Sequence, residues 1–247
     1  MVSRHASPHR PNVPWFSAAA LVSCATACIG FVVLATIVRF RHGPLGLDRT
    51  VVDFVNAQAG TASFSLGEAG SFLGRGPVVG FIALAAGAWV AYRTRRFLLA
   101  AAIPAAAALG GVVEFATKHL VARLRPPTAT LTGEGGYGFP SGHTAGHTAM
   151  AAAVVAVLCV LAFRRRDVLV AGTTAVATSA LVGLGRVLVG AHWTTDVIGG
   201  LLLGFAAGIA TVQLATLAEG AWAGRAAVSE PDERAAPSQR GGGAAAP

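Results

Sequence analysis

Six apolar runs limit this chain to one architecture. They cover residues 15–38, 77–92 (with an extension toward Ser71), 97–117, 144–163, 168–189 and 194–217. Each approaches the length of about 20 residues that an α-helix needs to cross the hydrocarbon of a bilayer. A helix satisfies its own backbone polar groups there, and an open strand does not. The expectation is an all-α, six-transmembrane-helix bundle embedded in the membrane over 15–220. Residues 1–14 and 221–247 are polar and rich in Pro, Gly and Ala, and they read as disordered cytoplasmic tails.

The composition excludes the main rivals. Charged residues make up 12% of the chain, hydrophobic residues 54%, and the mean hydropathy is +0.61. A soluble domain carries about 25% charged residues. Intrinsic disorder needs low hydrophobicity and high charge. Cys24, Cys28 and Cys159 sit inside apolar runs, so a disulfide scaffold is excluded as well.

A formal charge of +8 would suit nucleic acid. The distribution argues against that partner. Of 19 cations only Lys118 is a lysine, and the arginines cluster in the short connections between apolar runs. Two such connections hold Arg93, Arg95, Arg96, Arg164, Arg165 and Arg166. With both termini on that side, eleven of the 19 cations lie there. The positive-inside rule then makes the termini cytoplasmic. The long connections 39–76, 118–143 and 186–193 fall outside a bacterial-type plasma membrane. The run at 15–38 carries a Leu21-Val22-Ser23-Cys24 stretch like a lipoprotein cleavage box. It outlasts the 7–15 apolar residues of a signal peptide, so an uncleaved first helix is expected.

Within 39–76, Leu47, Val51, Phe54 and Val55 share a helical face, with Asp48, Arg49 and Asp53 mostly elsewhere. Two placements fit: a helix lying on the outer membrane surface, or one capping the bundle. Gly199-Gly200 and Gly204 read as positions where helices pack closely.

Polar groups near membrane depth mark function, and here they gather in three outer segments. The first runs from Lys118 to Pro126, at the end of the third span. The second is Pro140-Ser141-Gly142-His143, at the start of the fourth. The third runs from Arg186 to Asp196, between the fifth and sixth. Lys118, Arg125 and Arg186 exceed the nearby carboxylates. Arginine matches phosphate oxygens with a planar fork, and lysine adds a point charge. Ser141, Gly142 and His143 open a helix, whose free N–H groups and dipole favour an anion. His192 and Asp196 lie four apart, on one helical face. The carboxylate can fix the imidazole tautomer and leave Nε2 free to attack, while His143 protonates a leaving oxygen. That set suits phosphoryl transfer.

The pattern Lys118-x6-Arg125-Pro126, Pro140-Ser141-Gly142-His143, Arg186-x5-His192-x3-Asp196 resembles the three-part signature of the phosphatidic acid phosphatase type 2 superfamily. The six-span layout resembles its integral membrane lipid phosphatase branch. The resemblance implies that His192 is a nucleophile forming a phosphohistidine, with Asp196 orienting it and His143 as general acid. Lys118, Arg125, Ser141, Gly142 and Arg186 would bind phosphate, with no metal and no cofactor. The third motif of the family usually begins Ser-Arg, and here Gly185 precedes Arg186.

Other residues carry two readings each. Glu114 either pairs with Lys118 to ease its insertion or positions it. Arg123 either helps with phosphate, as a support behind the site, or faces lipid headgroups. His147 reads as a packing histidine or a support for the site. Trp193 reads as an interfacial anchor, and His119 as solvated. Lipid phosphates are the expected substrates: an isoprenoid pyrophosphate, phosphatidylglycerol phosphate or phosphatidate. The alternatives are a lipid-to-sugar phosphotransferase using the same site and a non-catalytic lipid-binding or transport protein. A soluble haloperoxidase relative is excluded by the six spans.

Overall fold

A computed structural model describes residues 14–41 and 43–229. It is a helical bundle, in which the one extended pairing among the described residues is a bridge between Leu124 and Tyr137. The helices are α1 (Pro14–Arg41), α2 (Gly46–Val55), α3 (Ala62–Phe72), α4 (Gly76–Thr94), α5 (Phe97–Val121), α6 (Gly142–Val160), α7 (Arg165–Leu188) and α8 (Thr194–Ser229), with a 3₁₀ helix at Pro127–Thr132. Six helical segments among the described residues are long and apolar enough to span a bilayer. The expected tails lie largely outside the described residues. The boundary at 220 is corrected, because α8 stays helical to Ser229.

Helix α6 is the centre of the bundle, with most of its span buried against α5, α7 and α8. Small residues make this possible. Gly200 and Gly208 of α8 lie against the α6 backbone, where an added Cβ would sit 2.7 Å from Ser141 O and 2.6 Å from Ala149 O. Ala145, Ala149 and Ala153 on α6 are fully buried. Large apolar side chains such as Ile29, Phe81, Val112 and Val176 point outward instead, as expected where the surrounding solvent is lipid. At the end away from the three motifs, Arg96 is paired with Glu219, joining the start of α5 to α8.

The second apolar run extends past Ser71, within one apolar helical stretch Ala62–Thr94, and is interrupted inside it. The break falls between α3, which ends at Phe72, and α4, which begins at Gly76. Gly74 at this break presses on α6, and a Cβ there would lie 2.9 Å from His143 Cβ and 2.6 Å from Val182 Cγ1. The interruption lets the chain cross over the start of α6.

Helix α2 touches the bundle through its polar side and turns apolar residues outward, so it carries features of both placements. Its fully buried residue is Asp48, while Phe54 is 89% and Leu47 50% exposed. The face expected to be polar and outward thus supplies the inward contact.

Candidate active site

The three motif segments meet at one end of the bundle. Lys118 comes from the last turn of α5 and Arg125 from the connection after it. Gly142 and His143 open α6, Arg186 closes α7, and His192 and Asp196 flank the start of α8. A cavity of about 590 Å³ begins here, lined by Lys118, Arg125, Gly142, His143 and His192. It continues along α4, α5 and α6 past Val79, Ala83, Ala107 and Gly146 to Pro104. Pro104 lies 14 residues before Lys118, about 21 Å along the helix axis.

A carboxylate that the sequence reading missed organises the cations. Glu134 Oε2 accepts from Arg125 Nη1 at 2.9 Å, and Oε1 is paired with Arg186 Nη2. Its backbone neighbour Gly133 and nearby Gly136 have φ of 68° and 74°, which glycine adopts without penalty. The loop can therefore turn this side chain inward. A lone acid in a glycine-rich outer connection was the available signal. Burial pushes the Glu134 carboxyl up, but Arg186 and Arg125 outweigh it and hold it below the usual value.

His192 is buried at 1% exposure. Arg125 Nη1 donates to Nε2 at 3.0 Å, which makes Nε2 the unprotonated nitrogen and puts the proton on Nδ1. Nδ1 faces Asp196 Oδ2 at 3.4 Å, in an orientation short of a formed hydrogen bond. Such contacts tighten when substrate arrives. Burial, then Arg125, Arg186 and Lys118, hold the imidazole well below its ordinary pKa. The ring is neutral, as a nucleophile must be.

Asp196 is itself held on both oxygens. Trp193 N donates to Oδ2 at 3.0 Å and Arg123 Nη1 to Oδ1 at 2.6 Å. Arg123 sits behind the site as a support for Asp196, and the readings as a direct phosphate or headgroup contact are corrected. The side chain neither lines the cavity nor faces headgroups. It is 2% exposed, bound to Asp196 on one side and to Asp48 on the other. Trp193 is likewise buried, with its ring 5.6 Å from the Arg123 guanidinium and Nε1 donating to Leu124 O. It is not a membrane anchor.

Lys118 Nζ pairs with Glu114 Oε1 at 2.5 Å. Glu114 also packs on the start of α6, where a Cβ on Gly142 would sit 2.6 Å from Oε1. Any side chain at this position would push the carboxylate aside. Arg186 does not line the cavity, and neither does Ser141. The serine is fully buried, its hydroxyl accepts from Thr144 Oγ1, and its N–H ties the loop to Asp196 O at 2.9 Å. His147 is a packing residue, with Nδ1 3.3 Å from Leu73 O and Nε2 2.9 Å from Thr178 Oγ1. His119 is exposed beside Phe115.

The departure at Gly185 has a packing cause. Helices α3 and α7 approach so closely that a Cβ on Gly185 would lie 2.7 Å from Gly67 O and from Ser71 N. A serine would collide with α3. Among the described residues, no cluster of three or more His, Cys, Asp or Glu forms a metal-binding set.

Comparison with known proteins agrees with this geometry. Residues 97–218 match the model of the PAP2 superfamily. The chain is 38% identical over 92 residues to phosphatidylglycerophosphatase B of Bacillus subtilis (strain 168), an alignment that covers 35% of this chain and 43% of that protein. The fold resembles the crystal structure of a transmembrane PAP2 type phosphatidylglycerolphosphate phosphatase from Bacillus subtilis. That match has a TM-score of 0.68 and 18% identity, and it covers 79% of this chain and 96% of the other.

Proposed function

The chain belongs to the PAP2 superfamily through residues 97–218, and on that premise we propose that it is a membrane lipid phosphatase acting through a phosphohistidine at His192. One observation carries the reading. The cavity lined by Lys118, Arg125 and both histidines, with Arg186 held beside it by Glu134, runs on along α4, α5 and α6 between mostly small apolar residues as far as Pro104. A phosphate can sit on Lys118, Arg125 and Arg186 while its lipid chain stays in an apolar setting.

The reaction has two steps. The Nε2 lone pair attacks phosphorus, the ester or anhydride P–O bond breaks, and His143 gives its proton to the leaving oxygen. Water then attacks the phosphohistidine, His143 takes the water proton, and the P–N bond breaks to release phosphate. Arriving phosphate must first draw Arg125 away from Nε2 and displace Glu134 from both arginines. The same guanidinium groups then meet charge on the equatorial oxygens.

The side of action follows from charge. The arginine-rich connections lie at the opposite end from the cavity, so the positive-inside rule places the active site on the extracytoplasmic side with both termini in the cytoplasm. Phosphatidylglycerol phosphate, isoprenoid pyrophosphates and phosphatidate are the candidate substrates. The test is phosphate release from each of the three in detergent, with and without a chelator, and with His192→Ala as control. Release by wild type and not by the variant supports the reading. Wild-type turnover by the variant contradicts it. Loss of activity to chelator, restored by added metal, contradicts the metal-free mechanism that the family implies.

A further inference from the structure

The outer connection 39–76 meets the site at Gly74 and Gly76, which line the cavity, at Gly43 O, which accepts from Arg123 Nη2 at 3.3 Å, and through one buried carboxylate. Asp48 of α2 is fully buried. Its Oδ2 accepts from Leu45 N at 2.9 Å and from Arg123 Nη2 at 2.6 Å, and its Oδ1 accepts from Thr195 N at 2.9 Å. The Thr195 hydroxyl, 3.0 and 2.9 Å from the two carboxylate oxygens, also accepts from Arg123 Nη1 at 2.7 Å. That nitrogen continues to Asp196 Oδ1, and the other oxygen of Asp196 faces His192. Asp48, Arg123 and Asp196 thus form a chain of alternating charge that is at most 2% exposed along its length.

Two carboxylates share one guanidinium, so the chain carries a net negative charge into the site. Removing one partner of a buried pair leaves the other uncompensated. Without Asp48, Arg123 would have Asp196 as its only carboxylate partner and would compete with His192 for it. The Thr195 N–H, in the first turn of α8 beside Asp196, would lose its acceptor as well.

We propose that Asp48 is a positioning residue for the reaction: acting through Arg123 and Thr195, it sets the orientation of Asp196 and so the aim of His192. The proposal rests on the phosphohistidine reading above. Asp48 lines no part of the cavity, so its loss slows the chemical step and leaves lipid binding alone. Misplacement of a reacting group by about 1 Å costs about 100-fold in rate. The charge also matters. His192 faces Lys118, Arg125 and Arg186 as cations, Glu134 and Asp196 as carboxylates, and His143. Loss of one negative charge behind Asp196 favours the neutral ring further.

The experiment measures kcat, KM and the pH profile of lipid phosphate release on the full chain, per mole of folded protein, for wild type, Asp48→Asn and Asp48→Glu. For Asp48→Asn, kcat falls about 10- to 100-fold at an unchanged KM, and the acidic limb moves to lower pH. Asp48→Glu recovers most of the rate. A purely structural role would lower the yield of folded protein and leave kcat and the acidic limb where they were, which overturns the proposal. Should Asp48→Asn not fold, Arg123→Lys keeps the charge and loses the two-sided fork. The same fall in kcat is then expected, and a wild-type kcat overturns the proposal. Wild-type protein inactive on every lipid overturns the phosphatase reading together with this one. Active wild type with a fully active Asp48→Asn overturns this one alone.

Discussion

Arg125 Nη1 lies 3.0 Å from Nε2 of His192, and the same nitrogen holds Glu134 at 2.9 Å. On the proposed mechanism, the attacking lone pair and a phosphate-binding arginine are therefore engaged with each other before substrate arrives. Glu134 completes that arrangement by bridging to Arg186, and its carboxylate occupies the cations that a phosphate needs.

Glu134→Gln is accordingly expected to tighten binding of inorganic phosphate as a product inhibitor several-fold. Each tenfold corresponds to about 1.4 kcal/mol. Inhibition constants for phosphate in the two proteins check this. Weaker binding by the variant would mean that Glu134 shapes the arginines and does not compete with the anion.

The pH dependence follows from His192. Its pKa is depressed, with burial first and Arg125 next among the causes. The acidic limb of the rate profile, corrected for ionisation of the substrate phosphate, is expected well below the ordinary histidine value of about 6.5. The stability consequence has a definite sign. Below about pH 6.5 the unfolded chain takes up a proton at His192 that the folded chain refuses, so stability falls as pH drops through that value. Glu134, depressed as well, adds stability above the usual carboxylate range of about 4.3 that is lost as pH falls toward its folded value. Thermal unfolding against pH reads both.

Gly185→Ser restores the residue usual in the family and is expected to damage this protein. The Cβ would stand 2.7 Å from backbone atoms of α3, and overpacking of this kind costs about 1–3 kcal/mol. A lower melting temperature without a gain in kcat is the expected result. An unchanged melting temperature together with a faster enzyme would contradict the packing account.

The groove makes a separate claim. Gly146 lines the cavity, and a Cβ there meets nothing within 4 Å. Gly146→Leu is expected to raise KM for long-chain lipid phosphates roughly tenfold or more, since a blocked apolar pocket forfeits about 1–3 kcal/mol of chain contact. Hydrolysis of a short, water-soluble phosphate ester is expected to stay near wild type. Equal losses on both substrates would show that the residue supports the fold and not the lipid chain.

Much of this molecule was legible in its sequence, for physical reasons. The six spans follow from length and hydropathy, because a bilayer leaves the backbone few choices. The motif residues Lys118, Arg125, His143, His192 and Asp196 could be read from type and spacing, and they meet at one end of the bundle. The partners were not legible. Glu134 and Asp48 act across 52 and 75 residues of chain, on Arg186 and Arg123, and local pattern carries no record of such pairings. Asp48 was also masked by its own helix, where the apolar residues pointed to the wrong face. The break at Gly74 and the glycine at 185 are set by how closely α3 approaches its neighbours, which only the packed bundle shows.

The central claim is that His192 carries the phosphoryl group. The most direct measurement is trapping of the whole protein with a phosphate-labelled lipid by a quench into alkaline denaturant, which preserves a phosphohistidine. The account expects a base-stable, acid-labile phosphoenzyme mapping to His192 and absent from His192→Ala. Label retained by His192→Ala, or found on another residue of the wild type, would contradict it.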